Sequence, residues 1–218
     1  MKISEKTISI LKNMSSINPS IKFKPGNVIS TKDQGNFILA IAKVEEEFPQ
    51  ECCIYELPKL LNILPLIKDP EFDFGEKNLN IKSSTSSSRL KYAYCSEDVI
   101  AVSKYKPIVI DDVNVEFDLS EEDLGAIIKA VNILSLPSIA FSGESGSLFV
   151  KSVDAKDASS NEFKIKVGEI DKDFMTIFNP EKLKSLYSDD YHVTISDRSV
   201  TKFAGNNVTY WVAAESNA

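Results

Sequence analysis

The chain has 218 residues, of which 43% are hydrophobic, 26% charged and 9% aromatic, enough apolar surface to fill one or two cores. Eight Gly and nine Pro leave no room for a long disordered or collagen-like segment. A net charge of -7 excludes a generally basic nucleic-acid coat protein, yet residues 1–109 carry 15 basic and 13 acidic side chains (+2) while residues 110–218 carry 10 and 19 (-9).

In chain order, the first helix is expected from Ser4, with Ile8, Leu11 and Met14 on one stripe. Strands are expected over 37–42 and 52–55. The second helix follows Tyr55, with Pro58 in its first turn and Leu57, Leu60, Leu61 and Leu64 three or four apart. Strands at 79–82 and 89–94 come next, separated by the exposed Ser/Thr run 83–88. Residues 103–114, with Lys106-Pro107 and Asp111-Asp112, form the natural connector. A third helix opens at Ser120, where Ser120-Glu121-Glu122-Asp123 resembles a capping box with Asp in the usual Glu position, followed by Leu124, Ile127, Ile128 and Val131. Strands at 139–142, 148–153 and 162–167 precede a fourth helix, which starts at Asn179-Pro180 and carries Leu183, Leu186 and Tyr187. Strands at 192–196 and 208–213 close the chain. Equivalent helices lie 116 residues (Ser4 to Ser120) and about 123 residues (Glu56 to Asn179) apart, so the chain reads as a duplicated unit of about 110 residues.

Chemistry is sparse. There is no GxxxxGK[ST] or GxGxxG, and Gly143-Glu144-Ser145-Gly146 lacks the lysine and following helix that cradle a phosphate. Asp69-Pro70-Glu71-Phe72-Asp73 begins like a calcium loop, but Gly75 falls one residue late and Asn80 stands where a bidentate Glu is needed. Cys52, Cys53 and Cys95 lack CxxC or Cys/His spacing, as expected of buried thiols in a reducing compartment. No apolar run approaches 18 residues and the N-terminus has no signal-peptide core, so a cytosolic protein is expected. His192 is the sole histidine. Asp189, Asp190 and His192 form the best candidate ligand cluster, and would serve a metal-dependent hydrolase; the bland alternative is a polar turn entering a strand. Positive charge is the stronger lead. Lys6 and Lys12, Lys59, Lys129, and Lys182 with Lys184 lie away from the apolar stripes of the four helices.

Met1-Lys2-Ile3-Ser4 with Leu11-Lys12-Asn13 and Ile17-Asn18, then Tyr55-Glu56-Leu57 with Ile63-Leu64, Lys106-Pro107-Ile108, and the closing Tyr210, Val212-Ala213 and Glu215 form an ordered set over nearly the whole chain. In order and spacing this set resembles the sliding clamps of T-even-type bacteriophage DNA polymerases, processivity factors similar to proliferating cell nuclear antigen. The resemblance implies an α+β DNA clamp fold: two similar domains, each with two short inner helices on curved antiparallel sheets, three copies forming a ring. The domains would span residues 1–106 and 115–218, joined by a connector at 107–114. It implies no enzymatic activity, no cofactor and no metal. It further implies Lys6, Lys12, Lys59, Lys129, Lys182 and Lys184 facing double-stranded DNA without sequence preference. A partner-peptide pocket would be built from Ile108, Val109, Ile110, Leu136, Pro137, Tyr210 and Val212. The implied partners are DNA polymerase, an ATP-dependent clamp loader and late-transcription proteins, in the cytoplasm of an infected bacterial host. Against this stand the hydrolase and a β-rich phage capsid or tail accessory protein.

Overall fold

A computed structural model describes residues 1–101, 108–157 and 159–215 and divides the chain into two units, Met1–Lys106 and Pro107–Ala218. Unit 1 runs α1 (Glu5–Ile17), β1 (Ile21–Phe23), β2 (Gly26–Lys32), β3 (Ile38–Phe48), β4 (Cys52–Ile54), α2 (Leu57–Ile63), β5 (Pro70–Phe74), β6 (Asn78–Ser83) and β7 (Arg89–Ala93). Unit 2 opens with β8 (Val113–Leu119) and continues through α3 (Glu121–Leu134), β9 (Ser138–Glu144), β10 (Ser147–Val153), β11 (Phe163–Glu169) and β12 (Phe174–Phe178). It closes with α4 (Pro180–Lys184), β13 (Tyr191–Ser196), β14 (Val200–Gly205) and β15 (Val208–Ala213).

The two courses repeat. In unit 2 one sheet has the order β11-β10-β9-β12, and in unit 1 the counterparts pair alike, β3 with β2 and β1 with β4, all antiparallel. The β5-β6-β7 meander matches β13-β14-β15. In unit 2, β8 pairs along β13; in unit 1 the corresponding place beside β5 is held by Met1, whose amino group donates to Phe72 O at 2.6 Å and whose carbonyl accepts from Phe72 N at 2.7 Å.

Local chemistry explains the helices. Ser4 and Ser120 cap α1 and α3 through their hydroxyls, which accept from Thr7 N at 3.2 Å and Asp123 N at 3.1 Å. The Asp in the second box is too short for the usual return reach, and its carboxylate accepts a hydrogen bond from the Ser120 hydroxyl instead, at 2.7 Å. In α1 the carboxylate comes from β3: Glu46 accepts from Ser4 N and, at 2.6 Å, from the Thr7 hydroxyl. Asn179 caps α4, with Pro180 in the first turn. Each helix buries one stripe: Ile10, Leu11 and Met14; Leu57, Leu60 and Leu61; Leu124, Ile127 and Val131; Leu183. Beneath them lie two aromatic clusters, Phe23, Phe48 and Phe74 in unit 1, and Phe117, Phe141, Phe178 and Phe203 with Tyr191 and Tyr210 in unit 2.

The four helices begin where their start signals place them, but α4 ends at Lys184, which leaves Leu186 and Tyr187 in the turn beyond it, and Leu64 follows α2 in a 3-10 turn. Six strands, β1, β2, β5, β8, β12 and β14, go beyond the sequence expectation. β5 begins on Pro70 and carries Glu71 and Asp73 between its inward residues, so the residues that start like a calcium loop are a meander strand. β8 hides Val115, Phe117 and Leu119 while exposing Glu116 and Asp118, so the expected connector 107–114 overlaps the start of a strand at Val113. Among the described residues no helix is long and apolar enough to cross a membrane.

Candidate nucleic-acid interface and partner segment

The lysines of the four helices differ in their surroundings. Lys6, Lys12 and Lys129 are exposed and make no ion pair among the described residues. Lys59 is exposed but bonded to Glu56 at 2.6 Å, a contact that raises its pKa. Lys184 is half-buried and pairs with Glu181 at 2.6 Å, and Lys182 donates to Ala213 O at 3.1 Å. An exposed pair of this kind contributes little to stability, but it neutralises a cation at long range.

Two of the backbone N–H groups at the start of each of α1 and α3 are already committed, those of Ser4 and Thr7 and those of Glu121 and Asp123. Burial pushes the Glu46 carboxyl up, but hydrogen bonds from Thr7 and Ser4 outweigh it and hold the group below its usual pKa. At α3, Asp190 Oδ1 accepts from Glu121 N at 2.8 Å. With protein carboxylates seated on both helix ends, an external phosphate must be met by side chains rather than by the helix dipole.

The expected peptide pocket is divided by the structure. Ile108 and Val109 are 42% and 74% exposed, and Ile110 is half-buried. The indole of Trp211 on β15 donates to Ile108 O at 2.9 Å. Asp112 fastens the same segment: its carboxylate accepts from Ser196 Oγ at 2.7 Å and pairs with Arg198 at 3.0 Å, and its carbonyl accepts from Asp197 N. Tyr210 and Val212, by contrast, are wholly enclosed. The Tyr210 hydroxyl accepts from Tyr187 N at 3.1 Å, so its ring is a core strut under the turn after α4 and offers no open face to a peptide. Leu136 is buried. Leu136 and exposed Pro137 belong to a different hollow of about 420 Å³, at the end of α3 and the start of α4, shared with Asn132, Asn179 and Lys184.

The candidate hydrolase residues are tied into the fold separately. The buried Asp189 carboxylate accepts from Asn206 Nδ2 and from Asn207 N and Nδ2, Asp190 caps α3, and His192 Nδ1 lies 2.8 Å from Asp118 on the neighbouring strand. No cluster of three metal-ligating side chains occurs among the described residues. Burial pushes the Cys52 thiol up to about 11 and raises Cys53 and Cys95 as well, which keeps all three in the unreactive form. The residues that sequence reasoning missed are Glu46, Asp112 and Trp211, whose partners are far off in sequence.

Two similar units, each a pair of short helices on sheets of antiparallel strands, define the class of DNA clamps. The solved structure of A. fulgidus PCNA with the C-terminal region of FEN-1 bound superposes with a TM-score of 0.71 at 15% identity, covering 100% of this chain and 98% of that one. Residues 2–102 match the family described as DNA polymerase processivity factor, and residues 116–216 that described as gp45 sliding clamp, C terminal. The sliding clamp of Vibrio phage KVP40 is 32% identical over 222 residues, with 99% of each chain covered, and that of Enterobacteria phage T4 is 24% identical over 226 residues, covering 100% of this chain and 98% of the relative. The chain belongs to the sliding-clamp family of phage DNA polymerase processivity factors.

Proposed function

We propose that three copies of this chain close into a ring around duplex DNA and tether the replicative polymerase by topology, without catalysis and without a cofactor. The observation that carries this reading is the duplicated unit with a lysine-bearing helix pair in each half. Two units per chain make three copies the number needed for six domains. The strand edges supply an assembly route. Met1 covers part of β5, and the Glu215 N–H bonds to Ile177 O on β12, whereas among the described residues β7 and β11 are edges of their sheets. An unpaired edge is a template for another chain, and joining β7 of one copy to β11 of the next is a head-to-tail contact, the kind that generates rings.

In that ring Lys6, Lys12, Lys59, Lys129, Lys182 and Lys184 face the DNA. Lysine suits a sliding contact because its ammonium is a mobile point charge, blind to sequence, and releases a phosphate readily. At a net charge of -7 per copy the outer surface repels DNA, and a screening length of about 8 Å at physiological salt leaves the helix lysines dominant close to the phosphates. Ile108 and Val109 receive a hydrophobic peptide of the polymerase. An ATP-dependent clamp loader and late-transcription proteins use the same segment, in the cytoplasm of the infected bacterium.

The test is solution mass combined with primer extension. The mass should approach three times 24.2 kDa at high protein concentration, and addition of the chain with its loader should lengthen polymerase products. A monomer or dimer at every concentration would refute the ring.

A further inference from the structure

The repeat places α1 and α3 in equivalent positions, and the 116-residue offset between their caps lets each surface residue be compared with its counterpart. Lys6 corresponds to Glu122, Ser9 to Gly125 and Lys12 to Ile128. On α1, Lys6 and Lys12 lie about 9 Å apart along the axis and about 120° apart around it, with Ser9 on the ridge between them. Both ammonium groups are unpaired among the described residues. That is a surface of two exposed cations, which matches phosphate oxygens.

On α3 the same surface is hostile to phosphate. Its first turn carries Glu121, Glu122 and Asp123, and Asp190 sits on the helix end. Lys129 stands two turns beyond Glu122 on the same ridge, and the next turn exposes Ile133 at 81%. The charge of the two halves follows suit, +2 for residues 1–109 and -9 for residues 110–218. In α2 and α4, Lys59 and Lys184 are neutralised by Glu56 and Glu181.

We infer that the duplex is held unequally by the two halves of each copy: α1, through Lys6 and Lys12, makes the principal phosphate contacts, and Glu122 on α3 repels the backbone at the equivalent place. This rests on the proposed DNA-facing role of the helices and assigns its division. A ring of three copies then carries three contacting and three repelling helices, so the DNA leans on α1 instead of being gripped evenly by all of them.

Fluorescence anisotropy of a labelled duplex of about 30 base pairs, titrated with the full-length protein across a salt series, tests the division. Lys6→Ala with Lys12→Ala should weaken binding more than tenfold at about 50 mM salt and make the log–log salt slope shallower by about 2, since each phosphate contact contributes about 0.9. Lys129→Ala should cost less than threefold. Glu122→Lys should tighten binding several-fold and steepen the slope by about 1. Solution mass and thermal midpoint, measured for every variant, must match the parent for the comparison to count, and the gain in Glu122→Lys cannot arise from misfolding. Equal losses in Lys129→Ala and the double variant, or no gain in Glu122→Lys, would overturn the division while leaving DNA contact by the helices intact. A parent protein with no salt-dependent binding to the duplex would overturn the DNA-facing reading itself.

Discussion

The last strand of each unit carries a tyrosine that reaches the neighbouring helix, and the two perform the task in opposite senses. In unit 1 the half-buried Tyr92 donates its hydroxyl to Glu56 O at 2.9 Å, at the start of α2. In unit 2 the wholly buried Tyr210 accepts from Tyr187 N, beyond the end of α4, and Tyr191 donates to Tyr187 O from β13 of the same meander. The helix ends differ likewise, with Glu46 reaching α1 from β3 and Asp190 reaching α3 from the turn before β13. A duplicated course therefore keeps its apolar spacing, which the core requires, while the polar fastenings are reinvented on each side.

The largest expected effect contrasts the tyrosines. Tyr210→Ala should destabilise the chain by about 3–5 kcal/mol, as large-to-small aromatic substitutions in a closed core do, and Tyr92→Ala by about 1–2 kcal/mol, since part of its ring already meets water. Urea denaturation of the full chain measures both, and equal costs would erase the distinction between the two struts. Next comes the exposed segment of unit 2. Ile108→Ala with Val109→Ala should weaken a peptide from the polymerase C-terminus about thirtyfold, roughly 2 kcal/mol, with solution mass and urea midpoint unchanged. Calorimetric titration decides it, and undiminished affinity would move the peptide elsewhere. Third, Glu46→Ala should cost about 1 kcal/mol because it strips two donors at the start of α1. Asp190→Ala, at an exposed cap, should cost less than about 0.5 kcal/mol.

The smallest effect is in pH. Glu46 is held below its ordinary pKa by its hydrogen bonds against the push of burial, and Glu144 by the Lys151 ammonium that bonds to it. A depressed carboxyl means that the folded chain binds fewer protons than the unfolded one. The stability each contributes is present above its unfolded value near 4.5 and is lost as pH falls through the folded value. The urea midpoint should decline below about pH 4.5, and Glu46→Ala should flatten part of that decline. A variant as acid-sensitive as the parent would assign the loss to other carboxylates.

The helices were legible because their information is local: Ser4, Ser120 and Asn179-Pro180 are start signals, and leucines three or four apart mark the buried stripes. The family resemblance rested on that order, and the KVP40 clamp's 32% identity along the whole chain agrees with it. β8 was legible in principle, since Val115, Phe117 and Leu119 alternate with acids, but its nearness to Asp111-Asp112 disguised it as connector. Glu46 was not legible. It lies 42 residues from the amide it serves, inside Glu45-Glu46-Glu47, where neighbouring acids are chemically identical until the fold turns one inward. Tyr210 misled for a related reason: an aromatic on a final strand suits a groove wall and a core equally, and only its enclosure separates the two.

The segment at 108–112 is secured by the Ile108 carbonyl and the Asp112 carboxylate, neither of which depends on the apolar side chains that it displays. Anchorage and vocabulary are thereby uncoupled. The side chains at 108 and 109 can be rewritten without loosening the strap that carries them, so the proposed peptide contact would be re-addressed by two codons, with the scaffold untouched.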